Sequence, residues 1–189
     1  MAPHTVRDGL LSRIEREVAH RAEGRPARIR IKVNSLVDEA LIDALYAASR
    51  AGVPIEILTR GICSLRPGVP GLSETIAVRS ILGRFLEHSR VFWFENGGEP
   101  EAWIGSADLM HRNLDRRVEV LAALPPAEDG DNATLAQVDA LLDVCFDEST
   151  SAWHLNSEGV WNRRVVGERG EPLLDVQDWL IQKARRRRP

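Results

Sequence analysis

A β-hairpin signal in the middle of the chain constrains the fold more than any other feature. Two largely apolar segments, 88–95 and 101–106, flank the residues Asn96, Gly97 and Gly98. Asn-Gly and Gly-Gly sequences between apolar runs are typical of tight hairpin turns, because these residues adopt the positive φ angles that such turns need. We therefore expect the two segments to pair as antiparallel neighbours in one sheet.

The hairpin also brings chemically active side chains together. Counting outward from the turn places His88 close to Ser106 and Ala107, and Asp108 follows directly. Alternate residues of a strand face the same side, so His88 and Arg90 point together. The sequence thus predicts imidazole, guanidinium, hydroxyl and carboxylate groups in one neighbourhood. This combination suits proton transfer beside a bound phosphate.

A β-α-β unit precedes the hairpin. Residues 28–33 alternate between charged and apolar side chains, which predicts a strand, and residues 38–50 have the spacing of a helix that ends at Gly52. Residues 54–60 form a second predicted strand. Strands joined by a helix are parallel with a right-handed crossover. We expect an α/β fold in which residues 28–121 form one mixed, mainly parallel sheet with helices on both faces.

Apolar spacing and breaker residues predict the remaining elements. These are helices at 6–20, 80–87, 133–146 and 173–186, strands at 76–80 and 116–124, a hairpin at 151–166, a turn at 109–115, and loops at 61–75 and 125–132. We interpret residues 1–189 as a single domain. It has a leading helix within 1–25 and a C-terminal extension at 150–189 that ends in a helix.

Length, charge and cysteine content exclude several classes of protein. The chain has 189 residues, and no apolar run approaches the ~20 residues that span a bilayer. The net charge of −3 gives no support for nucleic-acid binding, and the basic run 185–188 is interpreted as a solvated helix end. Cys63 and Cys145 lie far apart and are interpreted as reduced thiols of a cytosolic protein.

Positive charge is concentrated just before the hairpin. Between residues 60 and 90 the chain carries five arginines and two glutamates, and the planar guanidinium suits bidentate phosphate binding. Arg60 ends the second predicted strand, where ligands of open α/β sheets bind. A surface ion pair is the alternative interpretation of Arg60, and a structural imidazole is the alternative for His88.

The other candidate ligands are less informative. The remaining histidines have no partner at metal-ligand spacing, so the sequence predicts no metal site. Arg116 and Arg117 are adjacent, and neighbouring strand residues face opposite sides, so at most one of them reaches the site. Arg117 shares a predicted strand face with Glu119, which leaves a structural ion pair as its alternative role.

Six motifs follow one another along the chain. They are NSLVD at 34–38, RGICSLRPGVPGLSE at 60–74, VRSILGRFLEHSR at 78–90, ENGG at 95–98, GSAD at 105–108 and RNLDRR at 112–117. In this order they strongly resemble the C-terminal catalytic domain of bacterial long-chain polyphosphate kinase. The resemblance covers nearly the whole chain, most clearly residues 28–121 and weakly those beyond 150. It implies a phospholipase-D-like fold and reversible transfer of the terminal phosphate of ATP to inorganic polyphosphate through a phosphohistidine.

The resemblance implies roles for five residues. His88 matches the family's second conserved histidine, which assists proton transfer or stabilises the leaving group. Arg60 matches a nucleotide-phosphate-binding arginine, and Arg117 resembles a further phosphate-contacting arginine. Arg90 and Asp108 complete the expected ATP- and polyphosphate-binding set. These two stand where phospholipase D proper has a lysine and an asparagine, so phosphodiester hydrolysis is disfavoured.

The resemblance also implies what this chain depends on. In the family, the phosphate-carrying histidine and the magnesium residues belong to a preceding domain that no segment here matches. ATP or ADP is the expected substrate, and Mg²⁺ is expected in the full enzyme rather than on this domain. The expected partners are inorganic polyphosphate, the preceding domain and further subunits of an oligomer. The expected location is the cytoplasm, with membrane association only through the full-length complex.

Three hypotheses remain open from the sequence. The chain is a polyphosphate kinase domain that is inactive by itself, or a module that binds ATP or polyphosphate without turnover. The third alternative is a phospholipase-D-like hydrolase in which two identical halves form the site.

Overall fold

A computed structural model of the chain describes residues 5–124 and 133–186. The helices are α1 (Val6–Ala22), α2 (Glu39–Arg50), α3 (His111–Arg116), α4 (Ala133–Phe146) and α5 (Val176–Arg186). The strands are β1 (Ile29–Val33), β2 (Ile55–Thr59), β3 (Ile76–Ser80), β4 (Arg90–Phe94), β5 (Glu101–Gly105), β6 (Leu121–Ala123), β7 (Ala152–Leu155) and β8 (Trp161–Arg164). The predicted loop at 125–132 lies outside the described residues.

All eight strands belong to one sheet with the order β6-β5-β4-β1-β2-β3-β7-β8. β1 is parallel to β2, and β2 to β3, as the β-α-β unit predicted. The other five pairings are antiparallel. The mixed sheet is therefore confirmed, but the prediction that it is mainly parallel is wrong. β4 and β5 form a hairpin beside β1, which imposes antiparallel pairing, and β6 returns along β5 after the segment that contains α3.

The central hairpin is confirmed in position and direction. Arg90 of β4 lies opposite Gly105 of β5, and Phe94 lies opposite Glu101. The connection is a short 3₁₀ turn, Asn96–Gly98, in which Asn96 (φ 51°) and Gly97 (φ 71°) are left-handed. This register fixes where the residues on either side of the hairpin emerge from the sheet.

Helices cover both faces of the sheet, as predicted. Ile29 and Ile31 of β1 pack in a buried cluster with apolar residues of α1 and α2. The intervening Arg30 faces the opposite side, where it pairs with Asp143 of α4 and lies over the Trp93 ring. A second apolar cluster on that side joins Trp93 to α4 and to Val176 of α5. The sheet is thus the middle layer between two apolar layers.

Three local predictions are wrong. The predicted helix at 80–87 is an irregular loop after Ser80, because only Ile81 is buried while Leu82, Phe85 and Leu86 are exposed and form no buried helix face. The predicted turn at 109–115 contains helix α3. The predicted strand at 116–124 shrinks to β6, since only three residues there pair with β5.

The residues from 150 onward add two strands and a helix to the fold. The hairpin predicted at 151–166 is confirmed as β7 and β8, and β7 pairs with β3 at the end of the same sheet. The terminal helix begins at Val176 rather than 173.

Burial disfavours the thiolate form of both cysteines. Both cysteines are free, and burial raises the pKa of Cys63 to about 11 and that of Cys145 to about 12. Within residues 5–124 and 133–186, no helix is both long and apolar enough to cross a bilayer.

Candidate functional site

One edge of the sheet collects the sequence-predicted site residues. The carboxyl ends of parallel β1 and β2 lie side by side, which places Asn34 next to Arg60. β4 runs antiparallel to β1, so its first residue, Arg90, lies at the same edge. β5 is antiparallel to β4, so β5 ends at this same edge of the sheet, and Asp108 follows three residues beyond its end. Chain direction alone therefore assembles the site from four strands.

His88, Arg90 and Asp108 form a connected row at this edge. The Arg90 guanidinium donates from Nε to Asp108 Oδ1 at 3.2 Å and from Nη2 to Oδ2 at 2.9 Å. Its Nη1 lies 2.8 Å from His88 Nδ1 and donates to the His88 carbonyl at 2.6 Å. A guanidinium only donates, so the ring contact is a hydrogen bond when Nδ1 lacks a proton. The exposed ring then carries its proton on Nε2.

Asp108 anchors this row from inside the protein. Its carboxylate is buried and also accepts the backbone N–H of Asn34 at 2.7 Å. Burial by itself raises the pKa of Asp108, but the hydrogen bonds from Arg90 and Asn34 outweigh it and hold the pKa below the ordinary value. The Asn34 amide lies against Asp108, Arg90 and the Glu87 carbonyl. Asp108 is therefore ionised, and its carboxylate oxygens are occupied by hydrogen bonds from Arg90 and Asn34.

Arg60 lies beside the row with its charge uncompensated. The half-buried side chain donates to the Glu87 carbonyl at 3.0 Å, and across the described ranges it forms no ion pair with a carboxylate. The backbone turns tightly after it. A Cβ on Gly61 would lie 2.9 Å from the Asn34 carbonyl oxygen. The surface ion pair that is the alternative interpretation of Arg60 is not found among the described residues.

Arg117 is not a strand residue. It directly follows α3 in extended conformation and is exposed, so the alternation argument for Arg116 and Arg117 is wrong. Its proposed partner Glu119 is buried instead, where it accepts from Ser106 Oγ and from Asn113 Nδ2. The ion-pair alternative for Arg117 is therefore wrong as well, and in the part of the chain described here its guanidinium has no carboxylate partner.

Two residues that line the site, Lys32 and Glu87, were not predicted from the sequence. Lys32 is buried on β1, and its Nζ contacts Glu87 Oε2 at 2.9 Å and Ser89 Oγ at 2.8 Å. With Arg60, Lys32 and Glu87 line a small cleft at this edge of the sheet. The charged-apolar alternation of 28–33 placed Lys32 on one strand face, but nothing local indicated what that face meets.

The carboxylates at this edge do not fit a magnesium site. Asp108 is occupied by Arg90 and Asn34, and Glu87 by Lys32 and Gln177. Across the described segments, no group of three metal-ligating side chains could hold an ion. This chain's residues therefore provide cations and an imidazole rather than metal ligands.

The comparisons first define the class of fold. The phospholipase D family member Nuc of Salmonella typhimurium superposes with a TM-score of 0.50 at 16% identity, over 74% of this chain and 91% of that chain. The phospholipase-D-like fold implied by the motifs is thereby confirmed. The polyphosphate kinase of Porphyromonas gingivalis superposes far better, with a TM-score of 0.87 at 29% identity over 98% of this chain and 28% of that chain.

Sequence comparisons then give the family. The family model described as "Polyphosphate kinase C-terminal domain 2" matches residues 1–175, and the chain belongs to this family. It is 57% identical to the polyphosphate kinase of Streptomyces coelicolor over 188 residues and 53% identical to that of Mycobacterium tuberculosis over 190 residues. The chain spans 24% of the length of each relative.

Proposed function

We propose that this chain supplies one side of a polyphosphate kinase active site, for reversible transfer of the terminal phosphate of ATP to inorganic polyphosphate. The observation that carries the proposal is the row from His88 through Arg90 to Asp108, with unpaired Arg60 beside it. Family membership supports the reaction class.

The geometry gives His88 a specific task. With Nδ1 beside Arg90, a neutral ring carries its proton on Nε2, and the exposed imidazole would donate it to a bound ligand. When a phosphoryl group leaves ATP, the bond between the terminal phosphorus and the bridging oxygen breaks, and negative charge develops on that oxygen. A donated hydrogen bond or proton from Nε2 stabilises it, an effect typically worth ~10²–10⁴-fold in rate.

The unpaired arginines would neutralise the phosphates. Phosphoryl transfer depends mainly on positioning and charge stabilisation. Arg60 and Arg117 each present a guanidinium with no carboxylate partner in the described ranges, and such groups bind phosphate oxygens in a bidentate manner. Arg90 shapes the site through His88, since Asp108 already occupies two of its nitrogens.

The remaining requirements lie outside these residues. We assign the phosphate-carrying histidine and the Mg²⁺ ligands to the other three-quarters of the enzyme, with which this domain would form a cytoplasmic oligomer. A module that binds without turnover is the second candidate, supported by the carboxylates at the edge all being engaged. A hydrolase is less well supported, because Arg90 and Asp108 form an ion pair at the positions where phospholipase D has lysine and asparagine.

A chimaera tests the proposal. This chain replaces the corresponding quarter of the Streptomyces coelicolor relative, and polyphosphate formation from ATP and Mg²⁺ is measured. We expect turnover from the chimaera and its loss in the His88→Ala variant at unchanged melting temperature. A folded, assembled chimaera without turnover, or full turnover without His88, would refute the assignment.

A further inference from the structure

The loop that carries His88 is held from the other end of the chain. This loop, residues 81–89, has no regular structure, and its Phe85 and Leu86 side chains are 57% and 70% exposed. The Gln177 side chain of α5 reaches it and is only 4% exposed. A loop with so few apolar contacts depends on polar ones for its order.

Gln177 makes three hydrogen bonds to this loop. Its Oε1 accepts the Phe85 N–H at 2.8 Å, and its Nε2 donates to the Phe85 carbonyl at 2.8 Å. The amide thus pairs with the Phe85 backbone as a neighbouring strand would. Nε2 also donates to Glu87 Oε1 at 2.8 Å, next to the histidine.

The contact continues into the site. The second carboxylate oxygen of Glu87 pairs with Lys32 Nζ, and the Glu87 carbonyl accepts a hydrogen bond from Arg60 Nη1. Gln177 therefore fixes the residue that joins the buried cation, the phosphate-facing arginine and His88. No other side chain of α5 makes a hydrogen bond to this loop among the described residues.

The loop is also shaped to admit Gln177. A Cβ on Gly83 would lie 2.5 Å from Gln177 Oε1 and 2.7 Å from Cδ, so only glycine allows this approach. The family model ends at residue 175, just before Gln177. Helix α5 begins where that match ends, although the Streptomyces coelicolor relative aligns over the whole of this chain, helix included.

We propose that Gln177 is a positioning residue for His88, acting through Phe85 and Glu87. The inference rests on the proposed function, since it concerns how that site is held. Loss of the clamp would leave the sheet intact and free the loop to move. The bound nucleotide would still be held by other groups, while the imidazole would spend less time at the reacting oxygen.

Two measurements test this inference. Amide hydrogen exchange in this chain should be about tenfold or more faster at residues 83–88 in Gln177→Ala, and unchanged in the matched control Gln182→Ala, an exposed glutamine of the same helix. In the chimaera, Gln177→Ala should lower kcat about 10- to 100-fold with KM for ATP changed less than about twofold. The control should match the wild type.

A conservative exchange separates positioning from general stability. Gln177→Glu keeps the acceptor for Phe85 but sets two carboxylates against each other, and adding Glu87→Gln restores one amide and one carboxylate. We expect the single change to lower kcat and the double change to recover part of it. If Gln177→Ala does not fold, the comparison of kcat between Gln177→Glu and the double variant tests the inference instead.

The outcomes distinguish the two proposals. Unchanged exchange, or unchanged kcat with a loosened loop in an active chimaera, overturns the role of Gln177 and leaves the kinase assignment standing. An inactive wild-type chimaera overturns the kinase assignment. The exchange measurement then still decides whether α5 holds the loop, and unchanged exchange would overturn that too.

Discussion

The Arg90 guanidinium binds both oxygens of the Asp108 carboxylate, with Nε–Oδ1 at 3.2 Å and Nη2–Oδ2 at 2.9 Å, while its Nη1 faces His88. The pair is largely buried, with side-chain exposures of 10% and 7%. In the proposed site, this ion pair would orient the imidazole through the contact between Arg90 Nη1 and His88 Nδ1.

Removing the carboxylate should therefore cost both stability and activity. Asp108→Asn leaves the buried Arg90 cation without a counter-charge, and breaking such a pair costs about 3 kcal/mol. We expect a lower melting temperature together with reduced kcat. Asp115→Asn is the matched control, because Asp115 is exposed and its partner Arg7 retains a second carboxylate, Asp38, so the change should cost less than about 1 kcal/mol. Equal melting temperatures for the two variants would contradict a stabilising role of the buried pair.

The same carboxylate predicts an acid-sensitive fold. The pKa of Asp108 is lower in the folded chain than its ordinary value, because hydrogen bonds from Arg90 and Asn34 outweigh its burial. The stabilisation is complete above the unfolded pKa of about 3.9 and is lost as pH falls from there through the lower folded pKa. Urea unfolding between pH 3 and 6 should show this slope in the wild type and a shallower one in Asp108→Asn. Identical slopes would show that other groups dominate.

His88 and Arg60 should separate catalysis from binding in the active chimaera. His88→Ala should lower kcat by about 10²–10⁴-fold with little change in KM for ATP, because proton transfer acts in the transition state. Arg60→Ala should raise KM about 10- to 100-fold, because a charge-assisted phosphate contact is lost. Steady-state kinetics beside thermal melting measures both. A His88 variant that loses activity only by unfolding would assign the imidazole a structural role.

Arg117 should contribute to polymer binding without contributing to stability. It is exposed and has no carboxylate partner among the described residues. Arg117→Ala should weaken polyphosphate binding several-fold, chiefly at low salt, with an unchanged melting temperature. Arg112→Ala, an exposed arginine of the neighbouring helix α3, is the control for general charge loss. If both variants weaken binding equally, Arg117 acts only through net charge.

The chain by itself should bind phosphate ligands but not turn them over. The cationic edge is complete, whereas its carboxylates are engaged and offer no Mg²⁺ site. Isothermal titration with ATP or polyphosphate should show weak, salt-dependent binding, and ATP consumption with Mg²⁺ should stay at background. Sustained ATP consumption by this chain alone would show that the phosphate acceptor does not have to come from another domain.

The sequence predicted the part of the site that depends on local pairing. The hairpin register brought His88, Arg90 and Asp108 together because the turn at Asn96–Gly98 fixes which residues lie opposite each other. The β-α-β unit placed Arg60 at the same edge. Both inferences use residues close in sequence, where strand direction and period leave few alternatives.

The failures have a common physical cause in long-range contacts. Residues 80–87 have the composition of a helix, but Gln177 binds the Phe85 backbone from 92 residues away and favours an extended loop. Arg117 was assigned to a strand because no local pattern indicated that helix α3 includes the residues immediately before it. Lys32 was visible on its strand face, yet its partner Glu87 is 55 residues away and belongs to the misassigned segment.

The distance between Glu87 and Gln177, 90 residues along the chain, also orders events during synthesis. Domains emerge from the ribosome from their N-terminal end, so β1 to β6 are exposed before α5 has been made. The sheet edge with Arg60, Arg90 and Asp108 can form on the nascent chain, but the loop carrying His88 acquires its clamp only after α5 has left the exit tunnel. Ordering of the His88 loop is then a late event in the folding of this region, and in a chain truncated before α5 we expect the sheet edge to form while the loop lacks the hydrogen bonds of Gln177.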